Sequence, residues 1–568
     1  MSGAPFQRAG VVLLILGAAC GGAHTAKAGP DWDQFAAGFV ETYFQGNPLF
    51  AVYQGRHEFD GQFPDWSEAG LESWAARLHA LRDSAAAFAI EAGDTARAFE
   101  RDYLLARIDR DLFWLERADW PHRNPEYYLS SMDPNVYIAR EYAALPVRMK
   151  AFTRYAANLP AAIAHIRTNV QTPMPSAYAR IGNDRAAGLA DYLEKDVPGV
   201  FAAVGDTTPR SEFATANAAA VKALRDVAAW FTEQEKRGAE DYALGPELFA
   251  EMLRMTEGVD LPLATVEARG RADMDRNLAA LREACATFAP GRPIADCVAR
   301  AGKRKPPEGP VERARRQLDT LEAFVRSRAI VSVPGTERAL VRESPPYQRF
   351  NFAYIDIPGP YEKNLPSIYY IAPPDPNWSP AEQRAYIPSE GTLLFVSVHE
   401  VWPGHFLNFL HSNRVKSQIG RVFVGYAFAE GWAHYAEEMM WESGLGGGDP
   451  ALHIGQLMNA LLRNARYLSA IGLHARGMTL AESERVFREE AFQDPGNARQ
   501  QALRGTYDPA YLNYTLGKLM IRRLRQDWTA SRGGEKAWKE FHDRFLSYGG
   551  PPIPMVRRRL VGGEGEAM

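Results

Sequence analysis

Cysteine is scarce in this chain: three in 568 residues, with Cys20 in the N-terminal segment. The other two, Cys285 and Cys297, flank Pro290-Gly291-Arg292-Pro293, and no histidine lies near them. A zinc site built from two isolated cysteines is the weaker reading of this pair. A disulfide closing a short loop is the stronger, and it calls for an oxidising compartment. Long apolar runs are also missing. Ala9 to Ala19 is too short to span a bilayer and no later run is longer, so no transmembrane span is expected. Nor is there an excess of basic charge. The net charge is −4, and the clusters Lys303-Arg304-Lys305 and Arg557-Arg558-Arg559 are short and lack interleaved aromatics. Nucleic acid is therefore not an expected partner, and a solvated surface is the ordinary reading of both clusters. Internal repeats and long low-complexity runs are absent too.

What the N-terminus does contain is an export signal. Arg8 supplies positive charge, an apolar stretch follows, and Ala26-Lys27-Ala28 fits a small-x-small cleavage site. Residues 1–28 read as a signal peptide and the mature chain starts at Gly29, in a bacterial periplasm or outside the cell. The alternative is a lipoprotein anchored at Cys20. Leu16 stands one position further from that cysteine than the usual attachment pattern.

Composition is that of a folded soluble protein, 46% hydrophobic and 24% charged. Length alone allows three or four domains. Apolar residues at helical spacing predict helices over Asp33 to Tyr43, Ser67 to Ala92, Arg97 to Glu116, Val147 to Val170 and Glu212 to Lys236. Thr265 to Phe288 and Pro310 to Arg328 follow the same spacing. The character changes near Val331, dividing a helical region 29–330 from a region 331–568. Phe350 to Ile355 and Ser367 to Ala372 are aromatic, β-branched and bounded by proline, which predicts two short strands. Helices are then expected over Leu393 to Val401, Phe423 to Trp441, Ile454 to Leu473, Leu480 to Glu490, Ala510 to Asp527 and Glu535 to Leu546. The fold class is mainly α, with a small β-element just before the residues that carry chemistry.

Those residues are His399-Glu400-Val401-Trp402-Pro403-Gly404-His405. A common zinc hydrolase helix carries two His at i and i+4 with a Glu beside the first. Here the second His is at i+6, roughly 120° around a regular helix from the first. Two such imidazoles share no ion unless the helix is interrupted. Pro403 lacks an N–H and crowds the His399 carbonyl, and Gly404 relaxes the next position. A bulge or kink at Trp402 to Gly404 would bring His405 back to the face of His399.

Zinc needs a third protein ligand and an open position. Glu430 comes 25 residues after His405, and Glu430, His434 and Glu437 share a helix face at i, i+4 and i+7. Two carboxylates and a His on a face of Ala, Trp and Tyr are costly to bury without a partner. A metal ion, or imidazole ligands needing acceptors, would account for them. The ordinary alternative is an exposed acidic face.

His-Glu-x-x-Pro-Gly-His, followed by Glu-Gly-Trp-x-x-Tyr-x-Glu, resembles the bacterial family called domain of unknown function 885. The likeness extends to Asn47-Pro48 through His57, Asp65-Trp66-Ser67, Gly472-Leu473-His474, and Asp508-Pro509 to Tyr514-x-x-Gly517, as one family domain over 29–568. Members resemble helical zinc peptidases such as thimet oligopeptidase, angiotensin-converting enzyme and the Taq carboxypeptidase. That resemblance implies a two-lobed helical fold with a deep cleft, and hydrolysis of short peptides. The chain departs from the family at four places. Phe406 stands where a further His often follows, Asn408 replaces a Gln, His434 an apolar residue, and Ala470 an Asp.

The resulting expectation is an exported hydrolase with one Zn²⁺ held by His399, His405 and Glu430, and Glu400 as general base. Asn408, His434 and Glu437 would support the ligands. Tyr514 is the first candidate to meet the oxyanion and His474 the second, each with a plain structural role as its alternative. Lys518 and Arg504 could bind a substrate carboxylate, and strand Ile368 to Ala372 could pair with a peptide backbone; surface and packing roles are the defaults. The substrate would be a peptide or a small amide. The rival readings are a hydrolase of a non-peptide amide or ester, and a non-catalytic exported metal-binding or envelope protein.

Overall fold

Apolar spacing at a period of 3.6 becomes helix along most of the chain. The computed structural model describes residues 31–563 and 568, apart from 206, 239, 346–348, 350, 351 and 375. The signal segment and Cys20 lie outside the described residues. The expected N-terminal helices are Trp32–Gly46, Glu68–Ala86, Thr95–Leu112, Leu145–Asn169, Thr207–Glu235, Leu263–Phe288 and Pro310–Ser327. Sequence spacing missed Ser176–Lys195, whose buried face is largely alanine, too weak an apolar signal to stand out. It also missed Pro495–Tyr507, capped by the Asp494 carboxylate. The fold is mainly α, and no helix among the described residues is long and apolar enough to cross a membrane.

The β-element has three strands, not two. β1 (Ala339–Glu343), β2 (Ala353–Asp356) and β3 (Ser367–Ile371) form one sheet in the order β1-β3-β2. β1 escaped notice because only Val341 of its five residues is buried. β3 is parallel to β1 and antiparallel to β2. Both of its edges are taken, so Ile368 to Ile371 do not offer the free edge suggested for a peptide. Instead β3 supports the helix behind it: the Tyr369 hydroxyl lies 3.3 Å from Ser397 Oγ, which donates to Gln317.

Two large apolar clusters form most of the interior, with a small third one around Tyr178 and Tyr242. One gathers Trp32 through Phe231, with Phe39, Phe152 and Tyr155 fully buried. The other runs from Phe113 and Phe249 to Val556 and includes Trp402 and Trp432. Ile419, Val422 and Phe423 belong to the first cluster although they lie between His405 and Glu430. The chain therefore crosses from one core to the other between the two halves of the His/Glu constellation. Cys285 and Cys297 are joined in a disulfide, their Cα atoms 5.7 Å apart.

Buried charge ties the second core together. Lys518 Nζ donates to Asp273 Oδ2 at 2.5 Å and lies 3.5 Å from Glu438 Oε2. Arg276 contacts both carboxylates at 2.8 Å, Arg522 approaches Glu438 at 3.1 Å, and Asn464 donates to Asp273. Four helices meet at this one ion cluster: Leu263–Phe288, Tyr426–Glu442, Pro450–Ala475 and Asn513–Thr529. Lys518 is thus committed inside the protein and is not available to a substrate. The basic cluster at Arg557 is likewise not all solvated surface, because Arg557 is buried and pairs with Asp527 at 2.6 Å.

A second junction joins the N-terminal helices to the segment around β2. Arg140 pairs with Asp356 at 2.7 Å and with Glu362 at 3.5 Å. His57 sits between Asp60 (3.0 Å) and Glu362 (3.3 Å) and stacks on Tyr142. Burial opposes a charge on His57, but the two carboxylates outweigh it and push its pKa up to about 9. A pKa raised above its unfolded value contributes stability fully present below about pH 6.5 and lost as pH rises through about 9. His57→Gln should therefore destabilise the protein by about 2 kcal/mol at pH 6, and by progressively less up to pH 9.5. Denaturant titrations of both proteins across that range check it; a difference that does not shrink contradicts the assignment.

Candidate metal centre

The interrupted motif is built as two helices, not as a bulge within one. The motif helix Glu390–Glu400 is capped by Ser389 and ends directly after His399, and a new helix, His405–Ser412, starts at the second imidazole. Trp402 to Gly404 form the break, with the Gly404 N–H donating to the Val398 carbonyl at 3.0 Å. Gly404 has an ordinary negative φ, so its role is space, not handedness. A Cβ there would lie 1.7 Å from the His399 carbonyl oxygen and 2.5 Å from that of Val398. Only glycine lets the chain fold back this tightly. The break is pinned from outside by Trp432, whose indole donates to the Pro403 carbonyl at 2.8 Å.

This backtrack brings the imidazoles together, ring centroids 4.8 Å apart and perpendicular. His399 Nε2 and His405 Nε2 each lie 3.2 Å from the same oxygen of Glu430. Glu430 projects from helix Tyr426–Glu442, which crosses helix Asn513–Thr529 at a glycine contact. A Cβ on Gly431 would lie 2.4 Å from the Gly517 Cα. That close crossing sets Tyr514 beside Glu430.

His399, His405 and Glu430 offer donor atoms all within 4.8 Å of one another, the arrangement of a group that can hold a metal ion. Two donors about 2.0 Å from a tetrahedral zinc ion are about 3.3 Å apart. Both His–Glu separations fit that edge, and two imidazoles with one carboxylate suit zinc among the divalent ions.

Glu437, one helical turn beyond His434, accepts from His399 Nδ1 at 2.8 Å. This hydrogen bond fixes the ring and turns Nε2 towards Glu430. Arg463 joins the same Glu437 oxygen at 3.2 Å. Burial works against ionising Glu437, but Arg463 and His399 hold its pKa well below the usual carboxylate range. Burial and Arg463 oppose a charge on His399; hydrogen bonds to Glu430 and Glu437 outweigh them and raise it to about 9. Glu430 is partly buried, and His405 and His399 keep it ionised against that desolvation. Glu400 differs: burial raises its pKa, only partly offset by His399 and His405. Its carboxylate has no hydrogen bond among the described residues.

Tyr514 lies against this group, its ring 6.2 Å from that of His399 and nearly parallel to it. Tyr426 packs edge-on against it at 5.9 Å. The other expected residues fall elsewhere. His474 is buried against Tyr242 and Phe249, with Nε2 2.7 Å from the Gly505 carbonyl and Nδ1 accepting from the Leu244 N–H at 3.4 Å. Both ring nitrogens are spent on backbone, so an oxyanion role for His474 is dropped. His434 and Asn408 are fully buried, and their side-chain polar atoms lack hydrogen bonds among the described residues. His434 comes no nearer Glu437 than 3.6 Å. The sequence reading missed Arg463, Arg466 and Tyr426. The signal was there, since Arg463 and Arg466, at i and i+3, are the only charged residues of Pro450–Ala475 apart from its histidines.

A family described as "Bacterial protein of unknown function (DUF885)" matches residues 48–560. Solved structures share the fold, two bacterial proteins among them. One is titled "The structure of a putative lipoprotein of unknown function from Shewanella oneidensis", 23% identical, TM-score 0.78, over 94% of this chain and all of that one. The other is "the putative lipoprotein from Colwellia psychrerythraea", 16% identical, TM-score 0.79, over 93% of this chain and 98% of that one. No curated protein matches.

The space at Gly404 makes a test. Gly404→Ala should lower stability by roughly 3 kcal/mol and weaken divalent-metal binding at least tenfold, because the His399 carbonyl has nowhere to go. Gly188→Ala, an exposed helical site with open space around it, should leave both nearly unchanged. Thermal denaturation and metal titration of the two variants decide; an unperturbed Gly404→Ala protein contradicts the backtrack.

Proposed function

The chain belongs to the bacterial DUF885 family, and from that premise we propose that it is an exported zinc-dependent hydrolase, a peptidase acting on short peptides. One observation supports the reading: three side chains that could hold a metal ion converge, and Glu400, next to His399 in the chain, has no hydrogen bond on its carboxylate among the described residues. The "putative lipoprotein" titles of the two structural relatives support export, with either signal-peptide cleavage or a lipid at Cys20.

His399, His405 and Glu430 would hold the ion. When bound, Zn²⁺ supplies a Lewis acid that polarises a carbonyl and lowers the pKa of water to about 7. Glu400, adjacent to His399, is placed to act as a base that also gives its proton back. Glu400 takes a proton from the attacking water as the new C–O bond forms, and passes it to the nitrogen as the C–N bond breaks. Glu437 keeps His399 oriented throughout. The Tyr514 hydroxyl, without a hydrogen bond among the described residues, is free to donate to the oxygen that gains negative charge.

Glu400→Gln should keep one metal ion per chain and lose about 10²–10⁴ in peptide hydrolysis. Tyr514→Phe should keep the metal and lose about 10²-fold in kcat. Assays on unblocked di- to pentapeptides, with esters and simple amides in parallel, separate peptidase from the other hydrolases. Unchanged turnover in Glu400→Gln would falsify the hydrolase reading.

A further inference from the structure

Three guanidinium groups surround the Tyr514 ring: Arg466 at 4.9 Å from its centroid, Arg463 at 5.8 Å and Arg504 at 6.0 Å. Two of the three charges are answered. Arg463 has Glu437, and Arg504 has Asp508 at 2.9 Å while also donating to the Tyr426 hydroxyl. Arg466 has no carboxylate among the described residues. It is nine-tenths buried, and its Nε donates to the neutral Gln501 amide oxygen at 2.8 Å. Its two terminal amino groups have no hydrogen bond among the described residues. Burial, and then the repulsion of Arg504, press against its charge. A buried guanidinium with a forked pair of unused donors is the counterpart of a planar oxyanion that the protein itself does not supply.

The position gives the ligand a chemical class. Tyr514 stands between Arg466 and His399, 4.9 Å from the guanidinium and 6.2 Å from the imidazole. Added end to end, these separations place Arg466 within about 11 Å of a candidate zinc ligand. A peptide advances about 3.5 Å per residue, so this is a reach of about three residues at most.

We propose that Arg466, with Arg504 beside it, binds a carboxylate of the substrate one to three residues from the bond that is cut. This rests on the hydrolase reading and names the substrate class for that site. The carboxylate has two sources in a peptide, the C-terminus and an acidic side chain. A C-terminal carboxylate at this distance makes the protein a carboxypeptidase or dipeptidyl carboxypeptidase. Tyr514 then has two neighbours to serve, and the Arg466 guanidinium over its ring holds the phenol in place at the point where the anion enters.

The test is binding, not turnover. Calorimetry on zinc-loaded Glu400→Gln protein compares three short peptides: one with a free C-terminal carboxylate and no acidic residue, its C-terminal amide, and an amide carrying one Glu. At least one carboxylate peptide should bind ten or more times tighter than the plain amide, and which one names the source. Arg466→Met, made in the same background, should bring the ratio to about one with zinc content unchanged. A wild-type site indifferent to the carboxylate, or binding none of the peptides, overturns the subsite without needing a variant to fold. So does a preference that survives Arg466→Met. Zinc content and hydrolysis of the plain amide by the Glu400 protein report separately on the parent reading.

Discussion

Gly404 against the carbonyl of His399 is the contact on which the rest depends. An α-helix sends residues i and i+6 to different sides. Here the chain stops after one imidazole, turns back over its own last turn, and starts again at the other. That reversal fits only where no Cβ exists, and it is held shut by the Trp432 indole on the Pro403 carbonyl. Once both imidazoles face one point, a carboxylate from a neighbouring helix suffices to complete a ligand set.

Charge is arranged in layers behind that point. Glu430 faces the two histidines. Glu437, one layer deeper, bridges His399 and Arg463. On the same helices, buried Asp273, Glu438 and Lys518 pair with one another and with Arg276 and Arg522 at the outer edge of the cluster. Buried ions of this kind add little net stability, but removing one partner is costly. Their consequence is positional: the helices carrying Glu430, Arg463 and Tyr514 are locked in register, so these side chains are held in place by the fold itself. Against this background of paired charges, Arg466 stands out, with no carboxylate partner among the described residues.

Much of this was legible in the sequence, because helix periodicity and a local motif are both short-range signals. His399, Glu400, His405 and Glu430 announced themselves through spacing, and the Pro-Gly interruption announced the break. Its form was not legible: a kinked helix and a two-helix reversal demand the same residues. Long-range choices were lost as well. Lys518 and Arg466 look alike in the sequence, each a cation in a helix, yet one is sealed by Asp273 and Glu438 while the other lacks a counter-charge among the described residues. His474 stands in a block that resembles the family's motifs, but its nitrogens are taken by backbone that only folding brings near. β1 failed for a different reason, since an edge strand with one buried residue has no alternation to read.

The central claim is that the reversal at Gly404 exists to make His399, His405 and Glu430 one ligand set. Elemental analysis of the purified protein, beside His399→Ala and Glu430→Ala, tests it most directly. The account predicts one zinc ion per chain in the wild type and none in either variant, with helical content retained in all three. A stoichiometric metal that survives both substitutions would contradict it.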